Sequence, residues 1–189
     1  KINALDRLML YGRSDDPDTT FSWSISPLVS LPVSVAPLGI AHKTLILVPS
    51  TSQPITVPGG TYVMKLEGTT PRGVGFAEIT VVVNAPPQPG SCDVCKVLSN
   101  SGCSQTGRSL LDIFKIECSL WSDENQPLQY RYGLKSRGLD AWWSSLEFSD
   151  VKEVILPTGH VEITVEIVDS LGASAMSVPK TVVVSSFGR

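Results

Sequence analysis

The sequence predicts an all-β protein made of two tandem antiparallel β-sandwiches. Segments rich in Val, Ile and Thr recur along the 189-residue chain, and clusters of Gly, Pro, Asn, Asp and Ser separate them at short, regular intervals. Such spacing is typical of sandwiches, whereas βαβ units need intervening helices. No long stretch has a convincing amphipathic helical pattern, and the nearest candidate, 108–114, is short.

The predicted strands are the β-branched or alternating runs of the sequence. In the first half they are 44–48, 61–66 and 77–83, and in the second half 114–118, 128–132, 151–156, 161–168 and 178–184. β-Branched and aromatic residues favour strands because their side chains pack well on a pleated surface.

The two halves of the sequence resemble each other. The segments SDDPDTTFSWSI (14–25) and SDENQPLQYRYGL (122–134) both place an acidic turn before alternating aromatic residues. Segments 58–83 and 157–184 both run from a glycine turn through an alternating strand and a Gly-containing hairpin loop to a closing Val strand. A repeat period of about 100 residues fits two copies of one sandwich.

The proline-rich run NAPPQPG, 84–90, lies between the two copies. Proline has no N–H for the sheet ladder, so the preceding strand must end here. We therefore place the first domain at 1–84 and the second, which holds all the cysteines, at 85–189. Because these prolines restrict the backbone, we expect a stiff joint, with one narrow interdomain distance distribution in spin-label measurements.

Composition excludes two classes of function. The net charge is −3 and the basic residues are scattered, so the chain lacks the clustered Lys/Arg face that nucleic-acid binding requires. The uncharged stretch 19–41 is interrupted by Pro27, Pro32 and Pro37, which would break a spanning helix. We expect no membrane insertion by this segment, and because no signal peptide opens the sequence, we expect a piece of a larger protein.

Cys92, Cys95, Cys103 and Cys118 admit two interpretations. The close pair at 92 and 95 could begin a zinc site, but there is no second close pair and no histidine nearby. An even count in a β-sandwich chain favours disulfides, and hence a location outside the cytosol. Of the three possible connectivities we favour Cys92 with Cys118, which ties the joint to strand 114–118, and Cys95 with Cys103.

Two acidic clusters are candidate calcium ligands, because Ca²⁺ takes several oxygen ligands. They are Asp15, Asp16 and Asp18 in the first domain, and Asp123, Glu124 and Asn125 in the second. Asp and Asn also occur in turns because their side chains cap local backbone groups, and this is the interpretation we favour. We therefore predict no metal and no cofactor.

Catalysis finds little support in the sequence. The two histidines, His42 and His160, lack a Gly-x-Ser-x-Gly elbow or any other recognisable nucleophile nearby. We expect both to be surface turn residues and the chain not to be an enzyme.

The tryptophans are candidate core or binding residues. Trp23 and Trp121 lie in or beside predicted strands, where a sandwich core commonly holds a tryptophan. Trp142 and Trp143 are adjacent, so on a strand they point to opposite faces and only one can be buried. The other is the candidate for covering the joint or for binding a partner or a glycan.

A set of residues spanning the joint and the second domain resembles a known family, the REJ (receptor for egg jelly) module. The residues are Asn84, Pro86, Pro87, Gly90, Cys92, Gly107, Phe114, Cys118, Trp121, Asp123, Pro127, Leu128 and Tyr130. The module occurs in polycystin-1-like membrane proteins and sperm egg-jelly receptors. The upstream segments FSWSI, LILVPS and PGGTYVMKL also look like it, so the resemblance covers nearly the whole chain.

The resemblance implies tandem sandwiches similar to fibronectin type III, PKD or immunoglobulin-like domains. It implies that Cys92 and Cys118 pair, and that the chain is an adhesive or structural ectodomain module of a large cell-surface protein, often on cilia or flagella. Its implied partners are neighbouring modules of the same chain and protein or glycan ligands at the cell surface. The alternative function is that of a carbohydrate-binding accessory module of a secreted protein.

Overall fold

The computed structural model describes residues 1–29, 31–49, 57–97, 102–136 and 139–186. Within these residues every regular element is a β-strand, which confirms the predicted fold class. The strands are β1 Leu8–Tyr11, β2 Thr20–Ser26, β3 Thr44–Leu47, β4 Thr61–Thr70, β5 Gly73–Val82, β6 Ser91–Lys96, β7 Thr106–Arg108, β8 Ile113–Ser119, β9 Gln129–Ser136, β10 Leu139–Trp142, β11 Val151–Ile155, β12 Gly159–Val168, β13 Ser174–Met176 and β14 Lys180–Ser185. No helix in the described ranges has the length and apolarity needed to cross a membrane.

The chain forms two compact units, Lys1–Ala85 and Pro86–Arg189. The boundary therefore falls inside the proline-rich run, next to the position that the sequence suggests. We call these unit 1 and unit 2.

Unit 1 contains a two-stranded sheet, β1 with β3, and a three-stranded sheet in the order β2-β4-β5, all antiparallel. The strands alternate: Tyr62, Met64 and Leu66 on β4 are buried, while the residues between them are half-buried. The core of unit 1 consists of Trp23, Ile25, Val35, Ala36, Leu45, Leu47, Tyr62, Met64, Leu66, Val81 and Val83.

The first residues of unit 1 close its end by pairing with the residues that follow β5. Ile2 forms a parallel bridge with Val83. Asn84 is buried, its backbone N–H donates to the Ile2 carbonyl oxygen over 2.7 Å, and its side-chain amide donates to Asn3 Oδ1 over 3.1 Å. These bonds satisfy a polar side chain that would otherwise be costly to bury.

Unit 2 contains a larger sheet in the order β10-β9-β12-β14-β7, with β13 also paired to β12, and a three-stranded sheet in the order β11-β8-β6. Strand β7 runs parallel to β14, and the remaining pairs are antiparallel. The buried core lies between the inward-facing residues of both sheets. It consists of Cys92, Val94, Phe114, Ile116, Cys118, Leu128, Tyr130, Tyr132, Leu156, Val161, Ile163, Val165, Ile167, Val182 and Val184.

Three local expectations need correction. The Gly-containing hairpin loop predicted within 58–83 is a two-residue turn of Pro71 and Arg72, because Gly73 already pairs with Thr70 in the ladder of β4 and β5. His160 lies in β12 opposite Val183 rather than in a turn, although it is exposed as expected. The weak helical candidate at 108–114 is instead the end of β7, a turn at 109–111 and the start of β8.

Candidate functional site

Two disulfides fix the beginning of unit 2. Cys92 on β6 and Cys118 on β8 are directly opposite each other in the strand register, with Cα atoms 4.0 Å apart, and are bonded. Cys95 is bonded to Cys103, with Cα atoms 4.9 Å apart, which closes a short loop after β6. Since all four cysteines are bonded, no thiolate is left for the zinc site that the Cys-x-x-Cys spacing also allowed.

The residues just before β6 pass very close to β8. A Cβ added at Gly90 would lie 2.2 Å from the Ser119 carbonyl oxygen and 2.5 Å from the Trp121 nitrogen. Next to it, the Gln88 N–H donates to the Ser122 carbonyl oxygen over 2.8 Å. The residues before β6 are thus held against the end of β8 by backbone hydrogen bonding and close contact, which only glycine permits at position 90.

The two acidic clusters form turns that are capped by their own side chains. In unit 1, Asp16 Oδ1 accepts from the Asp18 N–H over 3.0 Å, and Asp15 is next to them in the same turn. In unit 2, Asp123 Oδ1 accepts from the Asn125 N–H over 2.7 Å. Among the described residues, no three His, Cys, Asp or Glu side chains lie close enough together to hold a metal ion. The geometry therefore does not support calcium binding by these residues or by Glu124.

The adjacent tryptophans lie on opposite sides of the larger sheet of unit 2. Trp143 packs against the core. Trp142 lies on the outer face opposite Gly133, and a Cβ at Gly133 would be 2.6 Å from its ring. The Arg131 guanidinium is stacked 4.5 Å from the centre of the Trp142 ring, and Arg131 Nε donates to Glu166 Oε2 over 2.8 Å. Trp142 is therefore already engaged by a cation and does not present a bare ring.

Trp121 lies at the margin of the core of unit 2, half-buried rather than fully buried as expected. It borders a surface cavity of about 320 Å³ together with Tyr130, Phe148 and Asp150. Pro127 and Leu128 complete the wall with Gln126. We call this cavity the Trp121 pocket. Sequence analysis had picked out Trp121 and Tyr130 but neither Phe148 nor Asp150.

A strap, residues 144–150, brings Phe148 and Asp150 to the Trp121 pocket. The backbones of Glu147 and Tyr130 exchange hydrogen bonds of 2.7 and 2.9 Å. The Tyr132 hydroxyl donates to the Ser149 carbonyl oxygen over 2.9 Å, and the Cys118 N–H donates to the Asp150 carbonyl oxygen over 2.8 Å. The strap is therefore attached to both sheets of unit 2.

The electrostatics of the pocket are dominated by the carboxylate of Asp150. Glu147 is paired with Lys152, with Nζ to Oε1 2.7 Å, but Asp150 has no ion-pair or side-chain hydrogen-bond partner in the described part of the chain. Burial raises the pKa of Tyr130, and the negative charge of Asp150 raises it further. The same two causes raise the pKa of Tyr132 strongly. Both phenols therefore stay neutral at physiological pH.

Unit 1 has a separate groove of about 460 Å³, which was not expected from the sequence. It lies beside the hairpin of β4 and β5 and is bordered by Arg13, Phe21, Arg72 and Phe76. The acidic turn with Asp15, Asp16 and Asp18 lies next to Arg72. Charges of both signs therefore surround this groove.

Comparison with protein families gives one match. The model of the REJ domain family matches residues 1–188. No curated protein matches the chain at a significant level.

Solved structures from several organisms align with the chain at low sequence identity. The fibronectin(III)-like modules of Clostridium thermocellum CbhA are 17% identical, with a TM-score of 0.38, over 98% of this chain and 88% of that one. The FN1–FN3 domains of chicken CNTN1 are 12% identical, with a TM-score of 0.38, over 95% of this chain and 62% of that one. Bacteroides ovatus SGBP-B, solved with a mixed-linkage heptasaccharide, is 16% identical, with a TM-score of 0.33, over 97% of this chain and 42% of that one.

Proposed function

The chain belongs to the REJ domain family, and from this premise we propose that it is an extracellular adhesive and load-bearing module of a large cell-surface protein. In this role it transmits force along the polypeptide and presents surfaces to neighbouring modules and to protein partners. We propose a role in binding partners and bearing load, without catalysis.

An extracellular location is supported by the cysteines. Both disulfides lie in unit 2, and disulfides form and persist in oxidising compartments such as the cell exterior. The polycystin-1-like context, with a place on cilia or flagella, is part of the proposal. Antibodies against unit 2 should label intact, non-permeabilised cells along these structures, and labelling only after permeabilisation would contradict it.

The observation that carries the load-bearing role is the position of the Cys92 to Cys118 bond. Tension that enters unit 2 through the joint reaches Cys92 at the start of β6. It can then pass through the disulfide directly to Cys118 on β8, so the intervening segment is removed from the load path. A covalent bond does not open at forces that separate paired strands, so the core strands β6 and β8 stay together.

Single-molecule extension of the whole chain tests this role. The bond encloses a sequence separation of 26 residues. At about 3.5 Å per extended residue, reduction should lengthen the stretched unit 2 by about 90 Å. The Cys92→Ala/Cys118→Ala double variant should gain about 60 Å without reductant, because the Cys95 to Cys103 bond still closes a separation of 8 within the released segment, and the full gain once reductant is added.

Two controls accompany the measurement. The Cys95→Ala/Cys103→Ala variant keeps the long-range bond, which encloses the shorter loop, so the stretched unit 2 should not lengthen until reductant is added. Unit 1 has no cysteine, so its extension should not change. If the unreduced chain extended as far as the reduced one, tension would not be carried by the disulfide and the proposal would be wrong.

A further inference from the structure

We propose that the Trp121 pocket of unit 2 binds a basic side chain, Lys or Arg, that a protein partner presents. The proposal deepens the partner-binding role given above and rests on it. It follows from the shape of the pocket, the aromatic residues that line it and the one carboxylate at its rim.

The lining of the pocket suits a cation with an apolar stem. Trp121, Tyr130 and Phe148 supply three aromatic rings around a cavity of about 320 Å³. The negative faces of aromatic rings attract ammonium and guanidinium groups, and tryptophan does so best. The long methylene stem of Lys or Arg can pack on the same rings while its charged head stays near solvent.

The charge distribution selects a cation over an anion. Asp150 borders the pocket, and its carboxylate has no partner among the described residues. Its negative charge also raises the pKa of Tyr130, which lines the pocket with it. The nearest lysine in sequence, Lys152 on β11, is paired with Glu147 rather than with Asp150.

The pocket is held in place before any ligand arrives. Backbone bonds of Glu147 to Tyr130 and of Asp150 to Cys118 hold the strap, and with it the backbone of Phe148 and Asp150, at the pocket. Cys118 is itself locked by its disulfide. A preorganised pocket avoids the entropic cost of ordering its walls on binding.

The groove of unit 1 does not favour a ligand of one charge in the same way. Arg13 and Arg72 border it, but the acidic turn next to Arg72 opposes their charge. The Trp121 pocket is the site where shape, aromatic lining and charge point to the same ligand.

The test is an NMR titration of the whole, oxidised chain with N-acetyl-arginine methylamide. We expect saturable shifts at Trp121, Tyr130 and Phe148. The citrulline analogue, which has nearly the same shape but no charge, should bind at least about threefold more weakly, because it loses the ion pair and the cation–π attraction. Equal shifts from the two probes would overturn the proposal.

Two variants locate the site. Asp150→Asn should weaken arginine binding by about three- to tenfold, and Phe148→Ala, at a side chain that is 68% exposed and so tolerant of truncation, should weaken it by a similar factor. Asp140→Asn makes the same change of charge at an exposed carboxylate on β10, which does not border the pocket, and should leave binding unchanged. Equal effects of Asp150→Asn and Asp140→Asn would show general electrostatics and contradict a specific pocket.

Two further probes identify the class of ligand. If phosphocholine bound more tightly than the arginine probe, the pocket would serve a lipid headgroup, and if a sulfated saccharide shifted the same residues, it would serve a glycan. Either result would overturn the proposal. The extension experiment does not involve the pocket, so its outcome judges the load-bearing role separately.

Discussion

Gly90 and Ser119 approach each other so closely that a side chain at position 90 has no room: an added Cβ would lie 2.2 Å from the Ser119 carbonyl oxygen. The contact joins the residue before β6 to the last residue of β8, the two strands that the disulfide also links. The beginning of unit 2 is therefore fixed by a backbone contact in addition to a covalent bond.

Replacing Gly90 with alanine should destabilise unit 2. The new methyl group meets backbone atoms that cannot rotate away, so the strands must shift, at a cost of about 1–3 kcal/mol. Chemical denaturation followed by a probe in unit 2 measures this. Gly75→Ala in unit 1, followed by a probe in that unit, is the control, because nothing lies within 4 Å of a Cβ there. An equal loss of stability of the two units would refute the steric explanation.

Removing the long-range disulfide should destabilise unit 2 more than removing the short one. The Cys92→Ala/Cys118→Ala variant is expected to lose about 2–5 kcal/mol of the free energy of unfolding. The Cys95→Ala/Cys103→Ala variant should lose less, because its separation is 8 residues rather than 26.

Non-reducing peptide mapping checks the pairing directly. It should return one peptide pair joined through Cys92 and Cys118 and another through Cys95 and Cys103. The melting of unit 1 should be almost the same in every cysteine variant. Four reactive thiols in protein taken from its native compartment would contradict both the pairing and the extracellular assignment.

Arg131 and Trp142 should be energetically coupled, because the guanidinium stacks on the ring 4.5 Å from its centre. In a double-mutant cycle with Arg131→Ala and Trp142→Ala, we expect a coupling free energy of about 0.5–1 kcal/mol. Additive effects of the two substitutions would show that the stacking contributes nothing. Arg131→Ala with Lys135→Ala serves as a control cycle. Lys135 is a basic residue on the same strand, two positions beyond Gly133.

Unit 2 should lose stability in acid partly through Asp112. Asp112 Oδ2 accepts a 2.7 Å hydrogen bond from the Arg108 N–H and lies 3.1 Å from Lys96 Nζ. The hydrogen bond, and then the lysine, lower the pKa of this carboxyl below the ordinary aspartate value of 3.8. A folded-state pKa below the unfolded value stabilises the fold above the unfolded pKa, and this contribution is lost as pH falls through the folded value.

Denaturation at pH 7 and at successively lower pH values measures that contribution. Asp112→Asn should reduce the loss of stability of unit 2 below about pH 4, because the group that titrates is gone. Asp140→Asn changes the same charge at an exposed position and should leave the pH profile nearly unchanged. Identical profiles for wild type and Asp112→Asn would contradict the assignment.

The strands of the core could be predicted because the alternation that forms them is local. Residues two apart on a strand share a face, so the Val, Ile and Thr runs reveal β8, β12 and β14 without knowledge of their partners. The strands β1, β2, β6, β7, β10 and β13 were not among the predicted strands. Of these, β7, β10 and β13 are three or four residues long, too short for alternation to show, and they exist because a longer neighbour offers hydrogen bonds.

The tryptophan pair shows where local information ends. Adjacent positions on a strand had to face opposite sides, and the sequence determined that much for Trp142 and Trp143. Which ring faces inward depends on the pairing of β10 with β9, which sets Trp142 opposite Gly133 on the outer face. A shift of one residue in that register would exchange the two rings.

The sequence by itself determined an all-β chain with a proline-rich boundary, four cysteines in its second half and a tryptophan and tyrosine in the segment after β8. Only the tertiary structure decided that Phe148 and Asp150 stand beside Trp121 and Tyr130. The strap that carries Phe148 and Asp150 contains no extended strand, and its sequence has no alternation of apolar and polar residues that would predict its position. Its position is set by hydrogen bonds to β9 and β8, residues distant in sequence, and such long-range pairing becomes defined only when the two sheets pack together.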